Sequence, residues 1–236
     1  KSNCGITSPA LMSSPLLVTA LAYFANKRGH SISPEEASEL RRYLLISNAK
    51  GRYSRASSES VLDQDLAILR DGGGIPLLYD RLISQVGRLD IQPGDLIGRN
   101  QRSSLFKMMF IAFKAQGAQD WKTSVGISLD HGGQQDAMQF HHIFPKAFLK
   151  QNYPDLRRNQ VNDISNLAFI GGKTNREISA KPPAEYLKKI IDSKDVELLN
   201  LQAIPTEGEI LDEYSYDDFL LKRRKTIVAR LNKLLS

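Results

Sequence analysis

The stretch FHHIFPKAFLK, residues 140–150, and the stretch NDISNLAFIGGKTNREISAKPP, residues 162–183, decide the fold of the most informative part of this chain. Each contains a short apolar run of the length of a β-strand. A Gly-Gly turn follows the second run and leads into a polar segment that favours a short helix. We therefore expect a strand, a long loop, a second strand and a helix between residues 136 and 182.

Two adjacent histidines in the first run are expected to have different roles, because neighbouring side chains of a strand point to opposite faces. We predict that His141 and the amide oxygen of Asn175 bind a divalent metal ion, and that His142 is a general base. An imidazole with an ordinary pKa of about 6.5 is suited to accepting a proton from water near neutral pH. Asn166 is expected to hydrogen-bond across the loop and fix the His142 ring or its flanking backbone.

A shell of one imidazole and one amide leaves most positions on the metal to water and phosphate oxygens. This favours Mg²⁺, with Mn²⁺ or Ni²⁺ as alternatives, over a closed zinc site. Three cations near the last asparagine, Lys173, Arg176 and Lys181, fit either phosphate contacts or a solvated helix face. The plain alternatives for the other residues are a chance histidine pair in a strand and an asparagine that caps a helix.

Composition sets wider limits. The 236 residues are 41% hydrophobic and 25% charged, as in an ordinary globular protein, and no apolar run approaches the ~20 residues of a membrane span. The single cysteine, Cys4, excludes an internal disulfide and a cysteine-ligated zinc site, which suits the cytoplasm. A net charge of +6 favours a polyanionic partner such as DNA. The chain starts at Lys1 without a signal peptide, and we expect it to be part of a longer protein.

Helical periodicity dominates the rest of the chain, so we predict a mainly helical α+β fold. Ser33, Pro34 and Glu36 form a predicted helix start with a capping box. Helices are predicted within residues 14–29, 31–45, 59–73, 75–86, 103–117, 183–192 and 216–236, and a further strand at 125–129.

Basic residues concentrate in the last helix, at Lys222, Arg223, Arg224, Lys225 and Arg230, and are expected to form a solvated face or a DNA clamp. The predicted domains are a helical region (1–124), a catalytic unit (125–183) and a C-terminal helical region packing on the rest (184–236).

The pattern His-His-Ile…Pro, Asn-Leu, Asn resembles the HNH, or ββα-metal, nuclease motif. In that resemblance His141 stands at the first metal position, His142 at the general base, Asn166 at the middle asparagine and Asn175 at the last metal ligand. The flanks RYSRASSESVLDQDLAIL (52–69) and DEYSYDDFLLKRRKTIVARL (212–231) are similar to the C-terminal half of GmrSD-type modification-dependent restriction and anti-phage proteins, including SspE-like members. The ParB-like N-terminal motifs of those proteins and the paired CxxC motifs of many HNH proteins are absent from this sequence.

The resemblance implies a ββα-metal unit flanked by helices and a metal-dependent DNA endonuclease of low sequence specificity, the effector part of an anti-phage restriction protein. It also implies a separate ParB-like sensing and nucleotide-hydrolysing domain as partner, and leaves self-association into a homo-oligomer open. Two alternatives are kept: a non-catalytic DNA-binding or docking module that retains the motif as scaffold, and a metal-dependent RNase.

Overall fold

The computed structural model describes residues 4–54, 57–130, 137–193, 196–206 and 215–236. As predicted, these residues are mainly helical, and their two strands form a small antiparallel sheet. The helices are α1 (Leu16–Lys27), α2 (Pro34–Lys50), α3 (Ser58–Arg70), α4 (Ile75–Val86), α5 (Ser104–Ala115), α6 (Lys146–Asn152), α7 (Arg158–Val161), α8 (Gly172–Ile178), α9 (Pro183–Ser193), α10 (Glu197–Asn200) and α11 (Tyr216–Leu235). The strands are β1 (Met138–His142) and β2 (Leu167–Gly171). Within these described ranges, no helix combines the length and the apolar character that crossing a bilayer requires.

The chain divides into two compact units. The first comprises Lys1–Asp90, Ser103–Met108 and Asn232–Ser236, and the second comprises Ile91–Arg102 and Met109–Leu231. All residues of the predicted site belong to the second unit.

The start of α2 in the first unit follows directly from its sequence. The Ser33 hydroxyl accepts a hydrogen bond from the backbone N–H of Glu36, and the Glu36 carboxylate accepts one from the backbone N–H of Ser33, both at 3.2 Å. Pro34 occupies the first turn, where its missing N–H has no partner to lose. The helix ends at Gly51, whose φ of 62° is the left-handed conformation that glycine adopts readily. The predicted capping box is therefore confirmed.

A buried ion pair lies in the first unit beside an apolar cluster from α1 and α3. Arg52 and Asp65 are 1% and 0% exposed, and their closest charged atoms are 2.5 Å apart. Arg52 donates two hydrogen bonds to this carboxylate, and the Tyr53 hydroxyl donates another. Burial of both charges is tolerated because each is paired and hydrogen-bonded.

The sheet of the second unit pairs β1, which overlaps the stretch 140–150, with β2, which lies within the stretch 162–183. His141 lies opposite Ala168 and His142 opposite Leu167 in the antiparallel register. The LAFI run of β2 is buried throughout, and Phe110 of α5 contacts Phe169 edge-on with ring centroids 5.1 Å apart. Helix α8 begins at the residue after β2, so the strand, strand and helix occur in the predicted order.

Two details of the predicted layout differ from the structure. The predicted strand at 125–129 is not a strand: Gly126 makes a single bridge with Gln119, and of the apolar residues there only Ile127 is fully buried. The loop between β1 and β2 contains two helices, α6 and α7, that periodicity did not indicate. The segment HGGQQD, residues 131–136, has the composition of a turn and lies outside the described residues.

The basic stretch of α11 does not form one solvated face. Arg223 is fully buried and donates to the backbone carbonyls of Ser165, at 2.6 Å, and Gln202, at 3.1 Å. Arg224 forms a 2.7 Å ion pair with Asp163, which is itself buried. Both predicted alternatives, a solvated face and a DNA clamp, are therefore wrong for Arg223 and Arg224. The two side chains instead bond the chain segment that leads into β2.

Candidate functional site

His141 lies in β1 with its ring directed toward α8 and α9. Its Nδ1 is 2.8 Å from Oδ1 of Asn175, and its Nε2 is 3.4 Å from the hydroxyl oxygen of Tyr186. Trp121 and Tyr186 pack nearly perpendicular to the imidazole, with centroids 5.7 and 5.6 Å away. The structure therefore brings together two predicted metal ligands that are 34 residues apart in the chain.

The surroundings of His141 keep its ring neutral. Burial, with only 3% of the residue exposed, lowers the pKa of His141 to about 4, although the hydrogen bond that the ring donates to Asn175 acts to raise this pKa. The Tyr186 hydroxyl donates to the carbonyl of Ile143 at 2.8 Å, so its oxygen is left to accept a proton from Nε2 of His141. A metal ion on Nδ1 would require that tautomer, whereas in the metal-free ring Nδ1 donates its proton to Oδ1 of Asn175 and Nε2 holds the lone pair.

The pair of donor atoms fits a small divalent ion. Adjacent ligands on an octahedral Mg²⁺, each at about 2.0–2.1 Å from the metal, are ~2.9 Å apart, and the Nδ1 to Oδ1 distance is 2.8 Å. In the metal-free protein the same distance is satisfied by an Nδ1–H to Oδ1 hydrogen bond. Within the part of the chain that the structure describes, no three histidine, cysteine, aspartate or glutamate side chains converge. Water or phosphate oxygens would therefore have to complete the shell.

His142 lies on the opposite face of β1 in a separate, half-buried environment. Its Nε2 is 3.1 Å from Oδ1 of Asn162, and the Nδ2 group of Asn162 donates to the carbonyl of Arg158 at 2.8 Å. This second bond fixes the orientation of the amide, so Oδ1 accepts a proton from Nε2. Nδ1 of His142 consequently holds the lone pair and is the basic atom of the ring.

The electrostatics of His142 also favour the neutral form. Burial lowers the pKa of His142 below its usual value, the hydrogen bond with Asn162 raises it, and the nearby positive charge of Lys146 lowers it. The ring is therefore neutral and able to accept a proton at pH 7.

Asn166 acts on the backbone rather than on the His142 ring. It is fully buried; its Oδ1 accepts from the backbone N–H of Phe144 at 2.8 Å, and its Nδ2 donates to the carbonyls of Phe144 and Val161 at 3.1 and 3.2 Å. The backbone carbonyl of Asn166 also accepts from Ile143 at 2.8 Å. These bonds join the end of β1 to the start of β2 two residues after His142.

Asp120 anchors the start of α8, which carries Asn175. Its carboxylate accepts hydrogen bonds from the backbone N–H of Gly171 and the Thr174 hydroxyl, both at 2.7 Å. Two further backbone donors, at Lys122 and Thr123, lie 2.9 Å away. Although burial opposes the charge, these hydrogen bonds hold the pKa of Asp120 below its usual value.

The three predicted phosphate-binding cations are all exposed. Lys173 and Arg176 lie on α8, and Lys181 lies just beyond it and donates to the carbonyl of Glu177 at 2.8 Å. Their exposure is compatible with either phosphate contacts or a solvated surface.

Three residues of the site were missed by the sequence analysis. Asn162 lies in the quoted stretch, but nothing in its spacing separates it from an ordinary loop asparagine. Tyr186 sits at an apolar position of an amphipathic helix, where the pattern indicates core packing rather than a polar contact. Asp120 precedes the predicted catalytic range altogether, and no local pattern indicates that it reaches α8.

Comparisons with known proteins add little to this geometry. No protein-family model matches the chain, and no solved structure matches it. Over 75 residues the chain is 33% identical to an uncharacterized protein of Methanocaldococcus jannaschii, a match that covers 31% of this chain and 13% of that protein. The matched part is thus a small fraction of the length of this relative, and its name assigns no activity.

Proposed function

We propose that this chain is a metal-dependent DNA endonuclease of the HNH type. One observation supports the proposal most: two adjacent histidines have separate polar partners on the two faces of one strand. His141 meets a carboxamide oxygen at 2.8 Å, while His142 is oriented by Asn162 with Nδ1 available as a base. These are the two environments that metal binding and proton transfer need.

In the proposed reaction Nδ1 of His142 takes a proton from a water molecule as the water oxygen bonds to phosphorus. The bond from phosphorus to the 3′-oxygen breaks and this oxygen takes a proton from solvent water, which gives a 5′-phosphate and a 3′-hydroxyl. Asn162 holds Nε2–H throughout and stabilises the imidazolium that forms, because its Oδ1 faces the positive ring. Asn166 is a positioning residue, since its bonds go to the backbone beside His142.

His141 and Asn175 would hold the metal, which we take to be Mg²⁺. A divalent cation bound there supplies charge stabilisation at the scissile phosphate and the leaving oxygen. Lys173, Arg176 and Lys181 would contact neighbouring phosphates.

The resemblance of residues 52–69 and 212–231 to GmrSD-type restriction proteins adds a biological role to the proposal. The chain would be the effector part of an anti-phage restriction protein that acts in the cytoplasm. A ParB-like domain elsewhere in that protein would sense the DNA and control the nuclease.

The test is nicking of a supercoiled plasmid with Mg²⁺, Mn²⁺ or Ni²⁺, and with EDTA. We expect cleavage only with a divalent ion and a loss of about 10²–10⁴-fold in rate for His142→Ala, since that is the usual contribution of a general base. His30→Asn is the matched control, because His30 is exposed and has a φ of 62° that asparagine tolerates. Equal rates for His142→Ala and the parent chain would exclude the assignment.

A non-catalytic DNA-binding module is the second candidate. The observation that favours it is the burial of His141 between Trp121 and Tyr186, where a histidine can be a purely structural group. This candidate predicts salt-dependent DNA binding without cleavage under any of the divalent ions. Including an RNA of the same sequence in the assay separates the DNase from a metal-dependent RNase.

A further inference from the structure

A basic cavity of ≈ 360 Å³ is lined by Asn162, the hydrogen-bond partner of the candidate general base His142. Its lining includes Lys146, Lys150 and Arg158, together with the half-buried ring of Tyr153 and the side chain of Asn162. Its size falls in the range of small-ligand sites, roughly 300–1,000 Å³. Neither His141 nor Asn175 lines it, so this cavity is separate from the metal pair.

The described charged residues that line the cavity are all positive. Lys146 and Lys150 are four residues apart on α6 and therefore lie on the same face of that helix, and Arg158 begins α7. All three are exposed, and none forms an ion pair with a carboxylate among the described residues. Among the residues that the structure describes, no acidic side chain lines the cavity. Three cations that repel each other around one concavity favour an anionic ligand.

Asn162 connects this cavity to the chemistry. It lines the cavity, accepts the Nε2 proton of His142 and donates to the backbone carbonyl of Arg158. One hydrogen-bonded chain therefore runs from the first residue of α7 to the basic ring. A ligand held by the Arg158 side chain would therefore lie close to Asn162, the residue that orients the ring of His142.

We propose that the cavity binds a backbone phosphate of the nucleic-acid strand, next to the phosphate that faces His142. The inference rests on the proposed function and adds to it a second phosphate subsite, on the α6–α7 side of the strand. Arginine and lysine side chains are the usual phosphate contacts, and a cavity larger than one phosphate, walled by Tyr153 and apolar side chains, has room for the attached sugar. A solvated cationic face would need neither the concavity nor the apolar wall.

The test measures binding without cleavage. The full chain, with His142 intact, is titrated in EDTA against a short fluorescein-labelled DNA duplex across a salt series, and the affinity is read from fluorescence anisotropy. The cavity variant is a double substitution, Lys150→Gln and Arg158→Gln, that removes two cations of the cavity. It keeps Lys146, because the charge of this residue lowers the pKa of His142. The control, Lys188→Gln with Arg102→Gln, removes the same two residue types from exposed positions of the second unit that are outside the cavity.

We expect the cavity variant to bind more weakly at low salt and to lower the slope of log affinity against log salt by about 1, the loss of one phosphate contact. The control should match the parent chain. The proposal is overturned if the cavity variant keeps the parent affinity and slope, if the control loses as much, or if the parent chain binds no duplex.

A cleavage assay on the same proteins separates this inference from the nuclease proposal. If the parent chain binds with the expected slope difference but cuts with no divalent ion, the subsite stands and the endonuclease assignment fails. If the parent cuts and the cavity variant has an unchanged KM, the endonuclease stands and the subsite fails.

Discussion

His141 and His142 differ by one position and have opposite chemical surroundings. The strand directs one ring to a buried aromatic wall and a carboxamide, and the other to a half-buried pocket with an amide and a lysine. Alternation along a strand is a property of the backbone alone, so this separation could be predicted from the sequence. The pairing of His141 with Asn175 was predicted as well. The partner of His142 could not be predicted, because Asn162 reaches that ring only through the path of the loop that contains α7.

At the residue scale, Asn162→Ala should slow the proposed reaction about 10–100-fold through kcat, with little change in KM, because the imidazole loses its orienting partner. The hydrogen bond with Asn162 raises the pKa of His142, so its removal lowers that pKa further. A general base must be neutral, and activity rises with pH through its pKa. The acidic limb of the kcat/KM profile should therefore move to lower pH.

The matched control for that profile is Asn152→Ala, an exposed asparagine at the end of α6. It should keep both the rate and the acidic limb of the parent chain. An Asn162→Ala variant with an unshifted limb would show that the amide does not act on His142.

At the scale of elements, the short helix α8 depends on a carboxylate from a distant segment. Seven residues are too few for a helix to be stable alone, and Asp120 supplies acceptors for the first residues of α8 and the end of β2. The sequence predicts α8 from the Gly-Gly turn and the residues that follow, but it does not predict its anchor, which lies 54 residues before Thr174.

Thr174→Val tests this anchor. The variant keeps the volume and removes the hydroxyl that donates to Asp120, and a hydrogen bond to a charged group contributes about 1.5–3 kcal/mol. We expect the free energy of unfolding, measured by urea denaturation, to fall by about that amount, with weaker metal-dependent activity because Asn175 follows in the chain. Thr226→Val, at an exposed position of α11, should change the stability by less than about 0.5 kcal/mol.

Periodicity predicts long elements better than short ones, and the segment at 125–129 shows why. Val125, Ile127 and Leu129 alternate as in a strand, yet only Ile127 is fully buried and Val125 is 48% exposed. A loop that inserts one side chain into a core gives the same local pattern as a strand. The helices α6 and α7 are missed for a related reason, since seven and four residues contain too few turns to show a period.

At the scale of the whole chain, polar side chains from far along the sequence hold the segment between α7 and β2. Arg223 bonds the carbonyl of Ser165, Arg224 pairs with Asp163, and Asp163 also accepts from the backbone of Gly98 at 2.8 Å. The composition and charge predict a basic chain, but they do not distinguish cations that are free to bind a partner from cations that are held in contacts within the fold. The two arginines of α11 belong to the second group, and the exposed cations of α6 and α7 remain available for the first.

The buried neutral His141 also sets how stability depends on pH. Its pKa is about 4 in the folded protein and 6.5 by its ordinary value, so the unfolded chain binds this proton more tightly. Stability from this group is complete above pH 6.5 and is lost as the pH falls from there toward about 4, by up to about 3 kcal/mol. Urea denaturation in EDTA at a series of pH values should show that decline in the parent chain and in the control His30→Asn. Because Gln cannot be protonated, His141→Gln takes up one proton fewer on unfolding. Its free energy of unfolding should therefore fall less steeply between these two pKa values. Parallel pH curves for His141→Gln and the parent chain would contradict a buried neutral imidazole, and with it the metal ligand proposed at this position.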